Sequence, residues 1–305
     1  GTVVVLLLSV LPRLPFFGIE LPSYAVMMAA GYLAALAAVW FLVPRRRRGS
    51  AGIDRPQAFD LFLVMVASSL IGAKVGHVLF EAPGHVTADG RTIESLWELL
   101  REDPWHVLRF GEGGYVWYGG MIGALVTAVI YFRRRPGLNG WLYADAFAPA
   151  IMVGAAFGRV GCFMSGCCYG VPTELPWGID FPATAGPVHP TQLYDATFAA
   201  ICGAVLLHRF GRRRFDGENI ALLLIAYPVA RFTTEMLRGD PERGGLGPFS
   251  TSQWLSLGVG AIGVWLYGAG VNARGATDPA GAGSEPSEGP TTDVAEDAAR
   301  STAEA

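Results

Sequence analysis

Residues 145–170 read DAFAPAIMVGAAFGRVGCFMSGCCYG, an apolar run that carries one arginine and closes on three thiols. Up to Gly158 the stretch has the composition of a membrane span. Arg159 then stands where a guanidinium near hydrocarbon costs roughly 2.5–3.5 kcal/mol, so the position demands a partner or a purpose. Small residues surround it (Gly154, Ala155, Ala156 and Gly158), and no carboxylate lies within one helical turn. Small side chains of this kind admit close helix approach or a bound group.

The rest of the chain extends the same reading. Of its 305 residues, 51% are hydrophobic and 16% charged, with a mean hydropathy of +0.36. Soluble domains carry about 25% charged residues, so the composition is that of an integral membrane protein. The net charge of −3 conceals a segregation: acids collect in the C-terminal tail and arginines in blocks beside apolar runs. Taking about twenty apolar residues per span, the fold class is all-α, a polytopic membrane protein with seven transmembrane helices. The spans fall near 22–43, 57–80, 114–132, 143–162, 191–210, 218–237 and 251–270. Residues 1–21, broken by Pro12, Arg13 and Pro15, read as an interfacial N-terminal arm; 22–270 form the transmembrane domain. Residues 271–305, rich in Gly, Ala, Pro, Ser, Thr and acids, read as a disordered acidic tail.

Orientation follows from basic residues next to the spans. Arg45 to Arg48, Arg133 to Arg135, and Arg209 with Arg212 to Arg214 follow the first, third and fifth spans. All three blocks then share the cytoplasmic side, with the N-terminus outside and the C-terminus inside. No Gly-rich phosphate loop, zinc-protease helix motif or nucleic-acid module occurs, so no cofactor and no nucleic-acid partner are implied.

This topology gathers the costly residues at one depth, the outer interface, and leaves the cytoplasmic halves as plain hydrocarbon. Lys74, His77 and Glu81 end the second span, Arg159 ends the fourth, and Arg231 and Glu235 share a helical face in the sixth. Tyr24 opens the first span; Tyr115, Trp117 and Tyr118 open the third. Each has a plainer reading: Arg231–Glu235 as a structural ion pair, Lys74 as a snorkelling side chain, the aromatics as an interfacial belt. Taken together, Lys74, Arg159 and Arg231 suit an anionic lipid headgroup, because guanidinium binds phosphate through paired hydrogen bonds.

Cys162, Cys167 and Cys168 admit three readings. They pack as small hydrophobes, they form a disulfide of Cys162 with one of the other two, or they hold a metal or act as redox thiols with His189. Two CxxC-like pairs are absent, which makes a metal at Cys162, Cys167 and Cys168 the weaker alternative. Cys202, alone mid-span, reads as packing.

Four pieces resemble the prolipoprotein diacylglyceryl transferases of bacterial inner membranes. They are Gly158-Arg-Val-Gly161 with Phe163, Gly166 and Gly170; His189-Pro-Thr-Gln-Leu-Tyr194; Tyr118-Gly-Gly120; and Arg231-Phe-Thr-Thr-Glu235. The resemblance runs from about Phe17 to Gly270. It implies transfer of the diacylglyceryl group of phosphatidylglycerol to the lipobox cysteine of a prolipoprotein signal peptide, at a site near the outer leaflet. It also implies Arg159 and Tyr24 as catalytic residues and Arg159, Arg231, Glu235 and Gly170 as substrate-binding residues; the residues themselves add Tyr118 and His189 to the catalytic set and Lys74 to the binding set. Three positions depart from the family's pattern: Tyr118 replaces a histidine, Cys162 an asparagine and Cys167 a glutamate. A phenol, with an ordinary pKa near 10, is a weak base at neutral pH, so His189 and His77 become substitute bases. Two alternatives stay open: a thiol-redox or metal-binding protein on this scaffold, and an inactive lipid-binding paralogue.

Overall fold

The computed structural model describes residues 12–16, 19–42, 53–80, 97–98, 101, 116–238 and 245–277. Glu81, Tyr115, the first eleven residues and the tail beyond 277 lie outside the described residues. Seven long helices run through it: α1 (Ser23–Leu42), α2 (Arg55–Phe80), α3 (Trp117–Arg133), α4 (Gly140–Met164), α5 (Thr191–Phe210), α6 (Glu218–Met236) and α7 (Thr251–Thr277). They fall on the seven apolar runs of the sequence, and α7 continues past the expected end at 270. Two antiparallel hairpins, which apolar periodicity does not foretell, interrupt the helices. Strands β1 (Arg13–Phe16) and β2 (Ile19–Pro22) precede α1, and β3 (Gly245–Leu246) and β4 (Phe249–Ser250) precede α7.

Among the described residues, five helices are long and apolar enough to cross a membrane: α1, α2, α4, α5 and α7. Of the other two, α3 has 17 residues and is short for a 30 Å hydrocarbon core. Helix α6 carries Glu218, Arg231 and Glu235. The chain is a multi-pass membrane protein built mainly of helices.

Helices α2 and α3 pack backbone against backbone. A methyl group on Gly119 would stand 2.3 Å from the Gly72 carbonyl oxygen, and one on Gly123 would stand 2.4 Å from that of Ser68. Only hydrogen fits between chains this close, the small-residue logic of helix association in lipid. The Gly119-Gly120 pair after Tyr118 is therefore a helix contact.

This α2–α3 pair joins the bundle at one end. There Val39, Leu61, Phe62, Tyr131, Tyr143, Phe147 and Phe210 form a core from five helices. At the opposite end, where Arg159 lies, Met27, Phe163, Met164, Phe181 and Val188 pack together, with no residue from α2 or α3. Between the two, α4, α5 and α6 share a third core that includes Cys202.

The end remote from Arg159 is not plain hydrocarbon, and here the sequence expectation fails. Asp145, fully buried in α4, accepts hydrogen bonds from Gly217 N (2.8 Å) and Ile220 N (3.0 Å). These amides open α6 and have no intrahelical acceptor, so a carboxylate there caps the helix. Arg213 Nε lies 3.6 Å from Asp145 Oδ2. Glu218, also buried, takes Arg209 Nη2 at 2.9 Å and Arg214 Nε at 3.0 Å.

Candidate active site

The last turn of α4, the start of α5 and the last turns of α6 bring two ion pairs together. Arg159 Nε lies 3.2 Å from Asp195 Oδ2 of α5, and Arg231 Nη2 lies 2.6 Å from Glu235 Oε2 one turn further along α6. The guanidiniums of Arg159 and Arg231 lie within electrostatic range of each other, and Tyr227 is near both. Ser250 Oγ, from the strand before α7, donates to Glu235 Oε1 at 3.0 Å. The pairs are incomplete: Asp195 Oδ2 is buried and off the line of an N–H bond, and Arg231 Nη1 is buried with no hydrogen-bond partner among the described residues. A buried polar atom left this way is rare in folded proteins; Arg209 Nε and Asn219 Oδ1 at the remote end are left the same way, and it is a cleft beside Glu235 that makes Arg231 a candidate for ligand binding. This cleft, of about 440 Å³, opens beside Glu235 and Arg238, walled by Phe249, Ser250 and Gln253.

Gly170 holds the α4–α5 loop against the end of α6. Its N–H donates to the His189 carbonyl at 2.8 Å, and Val171 N donates to the Leu237 carbonyl at 2.8 Å. A methyl at Gly170 would fall 2.4 Å from Leu237 O and 2.8 Å from His189 Cβ. Any side chain would push the loop off α6 and separate Arg159 from Arg231. His189 is fixed in turn: its Nδ1 lies 3.2 Å from Tyr194 Oη, which accepts from Trp177 Nε1 at 2.8 Å.

The thiols sit at the same end. Cys162 is one turn beyond Arg159, and the sulfurs of Cys162, Cys167 and Cys168 all lie within 4.8 Å of one another. Two side chains of the His189-Pro-Thr-Gln run clamp their loop: Thr191 Oγ1 donates to Cys168 O (2.9 Å) and Gln192 Nε2 to Cys167 O (2.6 Å). The Cys168 thiol is drawn well below its ordinary pKa by hydrogen bonds from the Cys162 and Cys167 thiols and by the adjacent Arg238 guanidinium. Arg238 also lies within electrostatic range of Arg159. Tyr24, at the start of α1, packs on Gly161 and stands within electrostatic range of all three thiols.

With this geometry in place, the comparison with known proteins is direct. Residues 12–268 match the family model described as prolipoprotein diacylglyceryl transferase. The chain belongs to that family. A Clostridium perfringens relative named phosphatidylglycerol–prolipoprotein diacylglyceryl transferase 2 is 32% identical over 257 residues, covering 82% of this chain and 91% of the relative. Relatives named phosphatidylglycerol–prolipoprotein diacylglyceryl transferase come from Clostridium tetani (29% over 258 residues; 82% and 94% covered) and Solidesulfovibrio magneticus (33% over 244 residues; 77% and 86% covered).

In this diacylglyceryl transferase family member, the structure brings Arg159, Arg231, Glu235, Gly170, Tyr24 and His189 to one end of the α4–α6 bundle. Lys74 and Tyr118 belong instead to the α2–α3 pair. Lys74 is buried there, while Tyr118 is 37% exposed and sets its ring edge-on to Trp117, centroids 5.3 Å apart. Sequence reasoning passed over Asp195, Tyr227, Arg238, Thr191 and Gln192. Thr191 and Gln192 lie inside the His189–Tyr194 piece and Asp195 directly after it, but nothing in the sequence pairs Asp195 with Arg159.

Proposed function

We propose that this protein transfers the diacylglyceryl group of phosphatidylglycerol to the lipobox cysteine thiol of a prolipoprotein, releasing glycerol phosphate. The observation that carries this reading is the paired but unfinished arginine cluster, above all the buried, unpartnered Nη1 of Arg231 beside Arg159. Asp195 and Glu235 neutralise the two guanidiniums at rest and hold them in register. An arriving phosphate then meets donors already oriented and partly desolvated, which is how fixed dipoles stabilise charge that develops on a leaving group. Attack by the thiolate sulfur on the glycerol carbon forms the C–S bond. The C–O bond to phosphate breaks, and its electron pair departs with the phosphate against Arg159 and Arg231.

Gly170 keeps the loop and α6 close enough for both arginines to reach one phosphate, and His189 positions the loop through Tyr194. Tyr24 and Tyr118 line the acceptor's approach, and Lys74 anchors the outer end of the α2–α3 pair. All seven helices cross the bacterial inner membrane in this reading, the N-terminus outside, the C-terminus cytoplasmic and the arginine cluster near the outer leaflet. The arginine blocks after the first, third and fifth helices support that orientation. The cleft beside Glu235 gives a lateral opening toward α7.

The test is mass spectrometry of a lipobox peptide incubated with purified protein and phosphatidylglycerol. A diacylglyceryl mass gain is expected from the wild type and its loss from Arg159→Ala. No gain from folded wild-type protein, or an undiminished gain from Arg159→Ala, rejects the reading.

A further inference from the structure

The phosphate grip leaves Cys162, Cys167 and Cys168 without a task, yet the fold converges them. Among the described residues they are the one group of His, Cys, Asp or Glu side chains gathered closely enough to hold a metal ion. Their loop is built for that convergence. Gly166 turns the chain at φ +69°, and Cys168 takes φ +64°, a left-handed conformation that a non-glycine residue adopts only when its surroundings impose it. Cys167 N donates to Cys162 O at 3.1 Å, and Thr191 and Gln192 lock the carbonyls of Cys168 and Cys167 from α5. Locked supports of this kind orient the ligands of a metal site.

Three thiolate sulfurs at about 2.3 Å from a tetrahedral zinc stand about 3.8 Å apart, within about 1 Å of the spacing already present. A divalent ion on three thiolates leaves one net negative charge, and the Arg238 guanidinium against Cys168 is placed to balance it. Soft thiolates select soft or borderline metals, and Cys167 is exposed, which gives the ion and a further ligand a way in.

We propose that Cys162, Cys167 and Cys168 hold a zinc ion with its fourth position open, and that the acceptor's lipobox thiol fills that position. The acceptor role rests on the transferase reading; the metal site stands without it. Three protein ligands and one open position are the arrangement of catalytic zinc, and a thiol that coordinates zinc loses its proton. The S–H proton passes to water, the sulfur's electron pair attacks the glycerol carbon, and the phosphate departs toward Arg159, one turn from Cys162. Zinc changes no oxidation state, so no oxidant or reductant is required. The metal supplies the acceptor thiolate directly.

The full chain, purified in lipid nanodiscs and exposed to zinc, is analysed for metal and, after exchange with cobalt(II), for sulfur-to-cobalt charge-transfer absorption. One zinc per chain is expected in the wild type and in Cys202→Ser, and none in Cys162→Ser or Cys168→Ser. A lipobox peptide shifts the cobalt bands, and its Cys→Ser version does not. Absence of stoichiometric zinc from the wild type, or a disulfide joining Cys162 to Cys167 or Cys168 in the purified protein, overturns the site. Stoichiometric zinc whose cobalt spectrum ignores the thiol peptide overturns the acceptor role. Neither readout needs turnover, so zinc-loaded protein that shifts its spectrum but transfers no lipid counts against the transferase reading alone.

Discussion

Both ends of the bundle bury arginine–carboxylate pairs, and the two ends finish those pairs differently. At the end remote from Arg159, both oxygens of Asp145 accept backbone N–H groups from the first turn of α6, and Glu218 takes two guanidiniums. Those carboxylates complete a helix terminus and brace the Arg209–Glu218 turn. At the Arg159 end, among the described residues, Arg159 and Arg231 each pair with one carboxylate, Arg231 Nη1 has no acceptor, and the cleft lies alongside. The same residue types thus serve scaffold at one end and ligand at the other. The cleft beside the Arg231–Glu235 pair, more than charge, depth or completeness of bonding, separates the two.

Breaking the scaffold end gives the largest expected effect. Asp145→Ala removes the acceptor for two α6 amides, while Arg213 keeps Asp216 and the Phe210 carbonyl. A buried amide left without an acceptor costs about 1–3 kcal/mol, so denaturant unfolding shifts by the sum for the two while transfer per folded molecule holds. At the other end, Arg231→Gln removes a donor from the developing phosphate charge. Transfer falls about 100- to 1,000-fold, the usual cost of losing one such donor. The unfolding midpoint falls too, since buried Glu235 loses its ion-pair partner, but by less than in Asp145→Ala because Ser250 still donates to Glu235; a collapse in stability with unchanged transfer contradicts the assignment.

Two smaller changes sharpen the contrast on the α2–α3 pair. Gly119→Ala forces apart backbones that meet at the Gly72 carbonyl, destabilising the protein by about 1–3 kcal/mol through overpacking. A neutral result in the same unfolding assay disproves that close contact. Tyr118→Phe removes one hydroxyl from a partly exposed ring and alters the transfer rate by no more than about twofold, as an ordinary surface change does. A large loss makes Tyr118 the base and removes the need for a metal-bound thiolate.

Much of this contrast is legible in the sequence, though unevenly. Arg159 declares itself because an arginine in an apolar run is expensive, and Arg231 with Glu235 because four residues make one helical turn. The helices follow from apolar length. Asp195, as the partner of Arg159, is not legible, since the two are joined only when α5 packs on α4, and that register is a tertiary fact. Asp145 reads as the edge of an apolar run until α6 is seen to begin against it. The glycines after Tyr118 belong to a family motif, and only the α2–α3 contact gives them a steric reason. The cysteines stayed ambiguous because their spacing fits no standard pattern, whereas the left-handed Cys168 and the clamps from Thr191 and Gln192 bring their sulfurs together.

The central claim, that the Arg159 end is ligand-binding and the opposite end is scaffold, is tested most directly by crossing two variants against two readouts. Phosphatidylglycerol-dependent transfer to a lipobox peptide and the denaturant midpoint are measured together in Arg231→Gln and Asp145→Ala. The account predicts a crossed result: Arg231→Gln loses transfer with the smaller fall in midpoint, and Asp145→Ala shows the larger fall in midpoint and keeps transfer per folded molecule. Transfer retained in Arg231→Gln, or lost per folded molecule in Asp145→Ala, contradicts it.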